Sequence, residues 1–224
     1  MRVLPASIIM LGRFSGNATT DLRNNSISEW HDWYLLQYKD QSSQEDAIEA
    51  VLAELLLDIR KNPLSCDCHA HNLIKRVQQS PFSRWAKSEY LGITCYDPPN
   101  LRDQRAFYDV ALTELNCNIM DNCPTGCLCQ DRPEEGILNV DCQWLNLTSM
   151  PDTLPRSPYN KIELQLGNNE ITKFSNVSYL KYVTNMSMPD NSLTTLPDFV
   201  IDEIASKENA FIDFRNNALT VVPS

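Results

Sequence analysis

One pattern constrains this chain more than any other feature. The window L-x-L-x-x-N-x-L recurs with drifting content, first as Leu164, Leu166, Asn169 and Ile171, then as Met186, Met188, Asn191 and Leu193, then as Ile212, Phe214, Asn217 and Leu219. The asparagines of these copies lie 22 and then 26 residues apart. Two further copies stand upstream, as Leu22, Asn25 and Ile27 and as Leu57, Ile59, Asn62 and Leu64. Five asparagines in one register point to a stacked array in which each unit buries its apolar face only against its neighbours.

The spacing has a physical reason. A short strand turns alternate apolar residues inward, and the asparagine then enters a turn, where its amide bonds backbone groups that are otherwise buried unpaired. Asn25, Asn62, Asn169, Asn191 and Asn217 form the expected ladder, and the period is that of a leucine-rich repeat. The expected fold class is an α/β repeat solenoid, a leucine-rich repeat horseshoe with a central pair of disulfide-bonded caps. Leu193 to Pro197 and Leu219 to Pro223 extend two copies past the turn. The 37 residues from Asn25 to Asn62 exceed one repeat, and a helix capped by Ser43, with Ile48, Val51, Leu52, Leu55 and Leu56 at helical spacing, is expected to take up the excess.

All eight cysteines fall within residues 66–142, in two sets of four: Cys66, Cys68, Cys95 and Cys117, then Cys123, Cys127, Cys129 and Cys142. Five glycosylation sequons, at Asn17, Asn24, Asn146, Asn176 and Asn185, accompany them. An even cysteine count in one block and a set of sequons argue for an oxidising, extracellular compartment. A metal reading of Cys66, Cys68, His69 and His71 is disfavoured, because zinc sites usually place two or more residues between paired cysteines. Repeat arrays leave an open apolar layer at each end, which cysteine-rich caps close. The first set follows a repeat and the second precedes three, so one array finishes where another begins.

These residues resemble a known family. Asn-Pro-Leu-Ser-Cys-Asp-Cys at 62–68, with Cys95 and Cys117, looks like the carboxy-flanking cap of extracellular leucine-rich repeat proteins. Cys-Pro-Thr-Gly-Cys-Leu-Cys at 123–129, closing at Cys142, looks like the amino-flanking cap. A carboxy cap running almost directly into an amino cap is similar to the membrane-proximal ectodomain of the invertebrate Toll receptors, within the Toll and Toll-like receptor family. The resemblance implies the pairings Cys66 to Cys95, Cys68 to Cys117, Cys123 to Cys129 and Cys127 to Cys142. It also implies four segments: 1–62 as the end of a first array, 63–122 as the carboxy cap, 123–158 as the amino cap and 159–224 as the start of a second array. Slit-like guidance proteins place caps in tandem too, with longer linkers and a shorter final loop than the twelve residues between Cys129 and Cys142. Ser224 follows a strand-and-turn unit with no closing cap, and no amino cap precedes the first repeat, so a partial sequence is expected.

The function implied by the resemblance is an extracellular ligand-recognition and receptor-assembly segment of a single-pass signalling receptor, in innate immunity or development. Its partner would be a cystine-knot cytokine of the Spätzle type, with pairing of two receptors. The alternative is a Slit-like secreted guidance protein or an adhesive matrix protein on the same repeats. A net charge of −10 argues against nucleic-acid binding. No serine-histidine-acid spacing, phosphate-cradling glycine loop or HExxH is present, so neither catalysis nor a cofactor is expected. No apolar run reaches the roughly 18–20 residues of a membrane span, and Met1 to Leu11, broken by Pro5, resembles a signal peptide only loosely. Membrane attachment would come through a span outside this sequence, and a complete chain of this kind would be secreted.

Repeat phase places Glu163, Gln165, Asn168, Asn185, Ser187, Asp190, Phe211, Asp213, Arg215 and Asn216 on the concave face. Glu163, Phe211, Asp213 and Arg215 are the ligand-binding candidates there, against the plainer reading of a solvated face. Asn185 is a sequon on that face, and a glycan there obstructs a protein ligand. Ligand contact is therefore expected at a lateral edge or at the junction of the caps.

Overall fold

The computed structural model describes residues 19–29, 56–79, 92–99, 101, 106, 109–200, 203–204, 207 and 210–221. Leu56, the last apolar position of the helix expected after Ser43, begins a strand that pairs with Thr19, which corrects that end of the helix. The rest of that helix, the Met1 to Leu11 segment and the Asn17 sequon lie outside the described residues. The chain divides into two compact units, Met1–Leu115 and Asn116–Ser224.

In the first unit, β1 (Thr19–Asp21) pairs in parallel with β2 (Leu56–Asp58), and β3 (Leu64–Ser65) pairs in parallel with β4 (Cys95–Asp97). A single helix turn sequence follows Cys68: Asp67 accepts from the backbone N–H of His69 at 2.9 Å, and α1 (His71–Gln79) begins. Buried His71 and Ile74 and half-buried Gln78 recur at helical spacing on one face. Gln78 then donates to the carbonyl of Val110 at 2.7 Å, tying α1 to the segment ahead of a 3-10 turn at Leu112–Glu114. Ile27, Ile59, Leu64, Ile74, Ile93 and Leu115 are among the residues that close this core.

The second unit is built on one six-stranded sheet. Its first three strands are β5 (Cys117–Asn118), β6 (Leu128–Arg132) and β7 (Ile137–Asp141), paired antiparallel. Pro133 to Gly136 turns β6 into β7, with Gly136 in the left-handed region at φ 63°. From β7 onward the pairing is parallel, through β8 (Ile162–Gln165), β9 (Val183–Ser187) and β10 (Phe211–Asp213). Parallel neighbours need a crossover between them, which the roughly repeat-length segments supply. Register sets apolar rows across the sheet: Leu138, Ile162 and Val183 in one, and Val140, Leu164, Met186 and Ile212 in the next. Seven residues align in these two rows, and all except Ile212 are fully buried.

The crossovers close the other side of the core. Leu180, Val200 and Ile204 are buried, the last two in and just after the short α2 (Asp198–Val200), and Phe174 packs edge-on against Phe199 and Phe214. β9 carries one extra residue: Ile162 pairs with Val183 but Glu163 pairs with Asn185, so Thr184 is a bulge. The unit boundary at Leu115 and Asn116 differs from the expected cap boundary at 122 and 123. Cys117–Asn118 pairs with Gln130 and Asp131, so the end of the first cysteine set belongs to the second unit's sheet.

Candidate functional site

The asparagine turns are the most regular feature of both units. Asn169 accepts from the backbone N–H groups of Leu145 and Leu147 at 3.1 and 2.9 Å and donates to the carbonyl of Cys142 at 2.8 Å. Asn191 accepts from Ile171 at 3.0 Å and donates to Leu166 at 2.9 Å. Asn217 accepts from Leu193 and donates to Met188. In the first unit Asn62 accepts from Ile27 and donates to Leu22, whereas exposed Asn25, among the described residues, donates within its own turn, to Leu22 and Arg23. Each bridging amide thus serves two consecutive turns, satisfying backbone groups where water is excluded.

The same turns share a second feature that the apolar and asparagine spacing does not reveal. The residue before each of these asparagines has a left-handed backbone: Asn24, Lys61, Asn168, Asp190 and Asn216, at φ 53° to 60°. Asparagine and aspartate enter that region more readily than other side chains, which explains four of the five. This corrects the placement of Asn168, Asp190 and Asn216 as strand residues on the open face. They lie beyond the ends of β8, β9 and β10, and Asn216 donates to Asp190 at 2.9 Å, turn to turn.

The open face of the second sheet carries one row of Gln130, Asn139, Glu163, Asn185 and Phe211, and another of Asp141, Gln165, Ser187 and Asp213. Much of it is internally bonded. Gln143 donates to Gln165 at 2.6 Å, and Gln165 donates to Asn139 and Glu163. Asp213 is buried rather than open to solvent, and Arg215 folds back onto it with bonds of 2.9 and 2.8 Å. That fork holds the Asp213 carboxyl below its ordinary value. Asp21 and Arg23 repeat the arrangement in the first unit and hold Asp21 at about 2. Of the four ligand candidates, only Phe211 stands well exposed without such an engagement, at 58%.

Cys66 is bonded to Cys95, Cys123 to Cys129 and Cys127 to Cys142. Cys68 and Cys117 are also disulfide-bonded, and no cysteine is free. The sulfurs of Cys66 and Cys68 therefore offer no thiolate to a metal. Asn24, Asn146 and Asn176 are exposed, and Asn185 lies half-buried within β9.

No protein-family model matches the chain. Among curated proteins, Protein toll of Drosophila melanogaster is 29% identical over 154 residues, covering 62% of this chain and 14% of that protein. Over that stretch the chain is similar to Toll. A solved structure of the Toll–Spatzle complex superposes with a TM-score of 0.57 over 80% of this chain and 23% of that one, at 22% identity, a likeness of fold. The aligned part is a small share of Toll's length in either comparison.

Other positioning groups in this chain left no periodic trace in the sequence. Lys207 donates to the carbonyls of Leu180 and Val183, each at 2.7 Å, across the end of the 3-10 turn at Leu180–Tyr182. Burial pushes its ammonium down, against the pull of Glu203. Tyr179 donates its hydroxyl to the carbonyl of Pro151 at 2.8 Å, and its burial raises the phenol well above the ordinary range. A lone lysine or tyrosine with a partner more than twenty residues away has no local signature.

Proposed function

We propose that this chain is an extracellular ligand-recognition and receptor-assembly segment of a Toll-type signalling receptor. The observation that carries the reading is the 29% identity to Protein toll over a stretch of 154 residues. The parallel strands with bridging asparagines are consistent with a leucine-rich repeat solenoid interrupted by tandem caps. In that reading residues 1–62 end one array, 63–122 and 123–158 are the carboxy and amino caps, and 159–224 begin the next. Disulfides throughout fit the oxidising, extracellular side of the plasma membrane. No described helix is long and apolar enough to cross a membrane.

The solved relative is a complex with Spatzle, and the partner proposed here is a cystine-knot cytokine of that type, with receptor pairing as the outcome. A Slit-like or adhesive matrix role draws no support from the comparisons. The test uses the secreted full chain. Surface plasmon resonance against a Spätzle-type dimer, with sedimentation equilibrium for pairing, should give saturable binding or ligand-dependent association with Kd at or below about 10 μM. Neither response at several times that concentration would refute the proposal.

A further inference from the structure

Three of the four ligand candidates on the open sheet face are already engaged: Glu163 accepts from Gln165, and Asp213 and Arg215 bind each other. Phe211 is different. The residue is 58% exposed and its ring makes no ring contact among the described residues. Its Cα partner across the parallel pair is Asn185. Met186 and Ile212, the next residues of the two strands, pair and point into the core, so Asn185 and Phe211 project together from the opposite face. Ser187, two residues beyond Asn185 and on the same face, completes the sequon.

We infer that Asn185 carries an N-linked glycan whose first N-acetylglucosamine lies on the Phe211 ring, making this face a carbohydrate platform. Neighbouring strands lie about 4.8 Å apart, so the Phe211 side chain stands one strand spacing from the Asn185 amide on the same face. A sugar leaving Asn185 toward β10 therefore meets the exposed Phe211 side chain, where its C–H groups can find the ring's negative quadrupole. Toward β8 it meets Glu163, whose carboxylate is engaged with Gln165 and offers no apolar surface. The other described sequons, Asn24, Asn146 and Asn176, lie outside strands and have no aromatic Cα partner.

The attachment uses a polyprenyl-diphosphate-linked oligosaccharide as co-substrate. The Asn185 amide nitrogen forms a bond to the anomeric carbon, the bond from that carbon to the phosphate oxygen breaks, the polyprenyl diphosphate leaves and the amide gives one proton to a base. No oxidant or reductant enters. Sugar stacked on Phe211 covers the residue that otherwise suits an anchor, so protein ligands are directed away from this face.

The inference rests on the extracellular reading above, and one experiment separates the two. Full chain secreted from mammalian cells is treated in its native state with peptide N-glycosidase, and release is followed by glycopeptide mass spectrometry. Release at Asn185 should be about tenfold slower than at Asn176, and Phe211→Ala should reduce that gap to within about threefold while Phe211→Trp keeps it. Should Phe211→Ala not be secreted, Phe211→Met, which keeps apolar bulk without a ring face, is expected to behave like it. Equal native release at Asn185 and Asn176, an unchanged gap in Phe211→Ala or Phe211→Met, or an empty Asn185 beside occupied Asn146 and Asn176 would overturn the platform alone. Secreted protein with no sugar at any sequon would overturn the platform and count against the extracellular reading as well.

Discussion

Replacing Asn191 with alanine removes a side chain that bridges two turns of the second unit. Its Oδ1 accepts from the N–H of Ile171 at 3.0 Å, and its Nδ2 donates to the carbonyl of Leu166 at 2.9 Å, with longer contacts to Met188 and Pro189. Ile171 is fully buried and Asn191 nearly so, so no water replaces the lost amide without opening the core. One stranded buried N–H costs about 1–3 kcal/mol, and the weakened carbonyl contacts add to it. We expect a loss of about 2–3 kcal/mol, which for a unit of this size lowers the melting temperature by roughly 10 °C. The comparison is Asn160→Ala. Asn160 is exposed and serves no second turn, but it sits at φ 53°, so alanine there costs about 1 kcal/mol for the left-handed backbone alone. Thermal melts by circular dichroism at fixed pH and salt measure both. Equal shifts for the two variants would refute the idea that the bridging amide, rather than turn conformation, stabilises the stack.

Three further outcomes are expected. Serine pairs replacing each disulfide should destabilise in order of the loop closed, about 3.6 kcal/mol for Cys66–Cys95, 3 for Cys127–Cys142 and 2 for Cys123–Cys129 by chain entropy, read as denaturation midpoints; a reversed order would mean that the native contacts of the caps dominate. Lys207→Met keeps the apolar stem but removes both carbonyl bonds, and should cost about 1–2 kcal/mol, with amide exchange accelerating first around Leu180 and Val183; uniform acceleration across the sheet would contradict a local role. Because Arg215 holds Asp213 below its ordinary carboxyl value, the pair's stability contribution is present above the unfolded value near 3.8 and is lost as pH falls through the lower folded one. Arg215→Met should raise the Asp213 midpoint in a carboxyl NMR titration, and an unmoved midpoint would discount the fork.

Part of this could be read directly along the chain. The spacing of Asn169, Asn191 and Asn217 is legible because the same backbone groups need the same amide at each step, so the requirement repeats with the strand. The inward rows are legible for a similar reason, since a strand's two-residue period sorts Leu164, Met186 and Met188 from their neighbours. The left-handed residue before each asparagine is also present in the letters, as Asn24, Asn168, Asp190 and Asn216, but extending the outward face past the strand ends assigns three of them to it, although each lies three residues beyond its strand.

The letters of the chain thus specify what is local and periodic: the apolar alternation, the asparagine step, the grouping of cysteines and the position of each sequon. Tertiary structure decided which strand each residue lies beside. Register placed Phe211 next to Asn185, the bulge at Thr184 kept that row aligned with Glu163, and the antiparallel strand at Cys117–Asn118 drew the end of one cysteine set into the next unit's sheet. Such pairings join residues whose separation depends on crossovers of unequal length, so no fixed spacing encodes them. Asp213 shows the same limit within one turn: alternation placed it outward, yet in the fold it is buried and hydrogen-bonded to the folded-back Arg215 side chain.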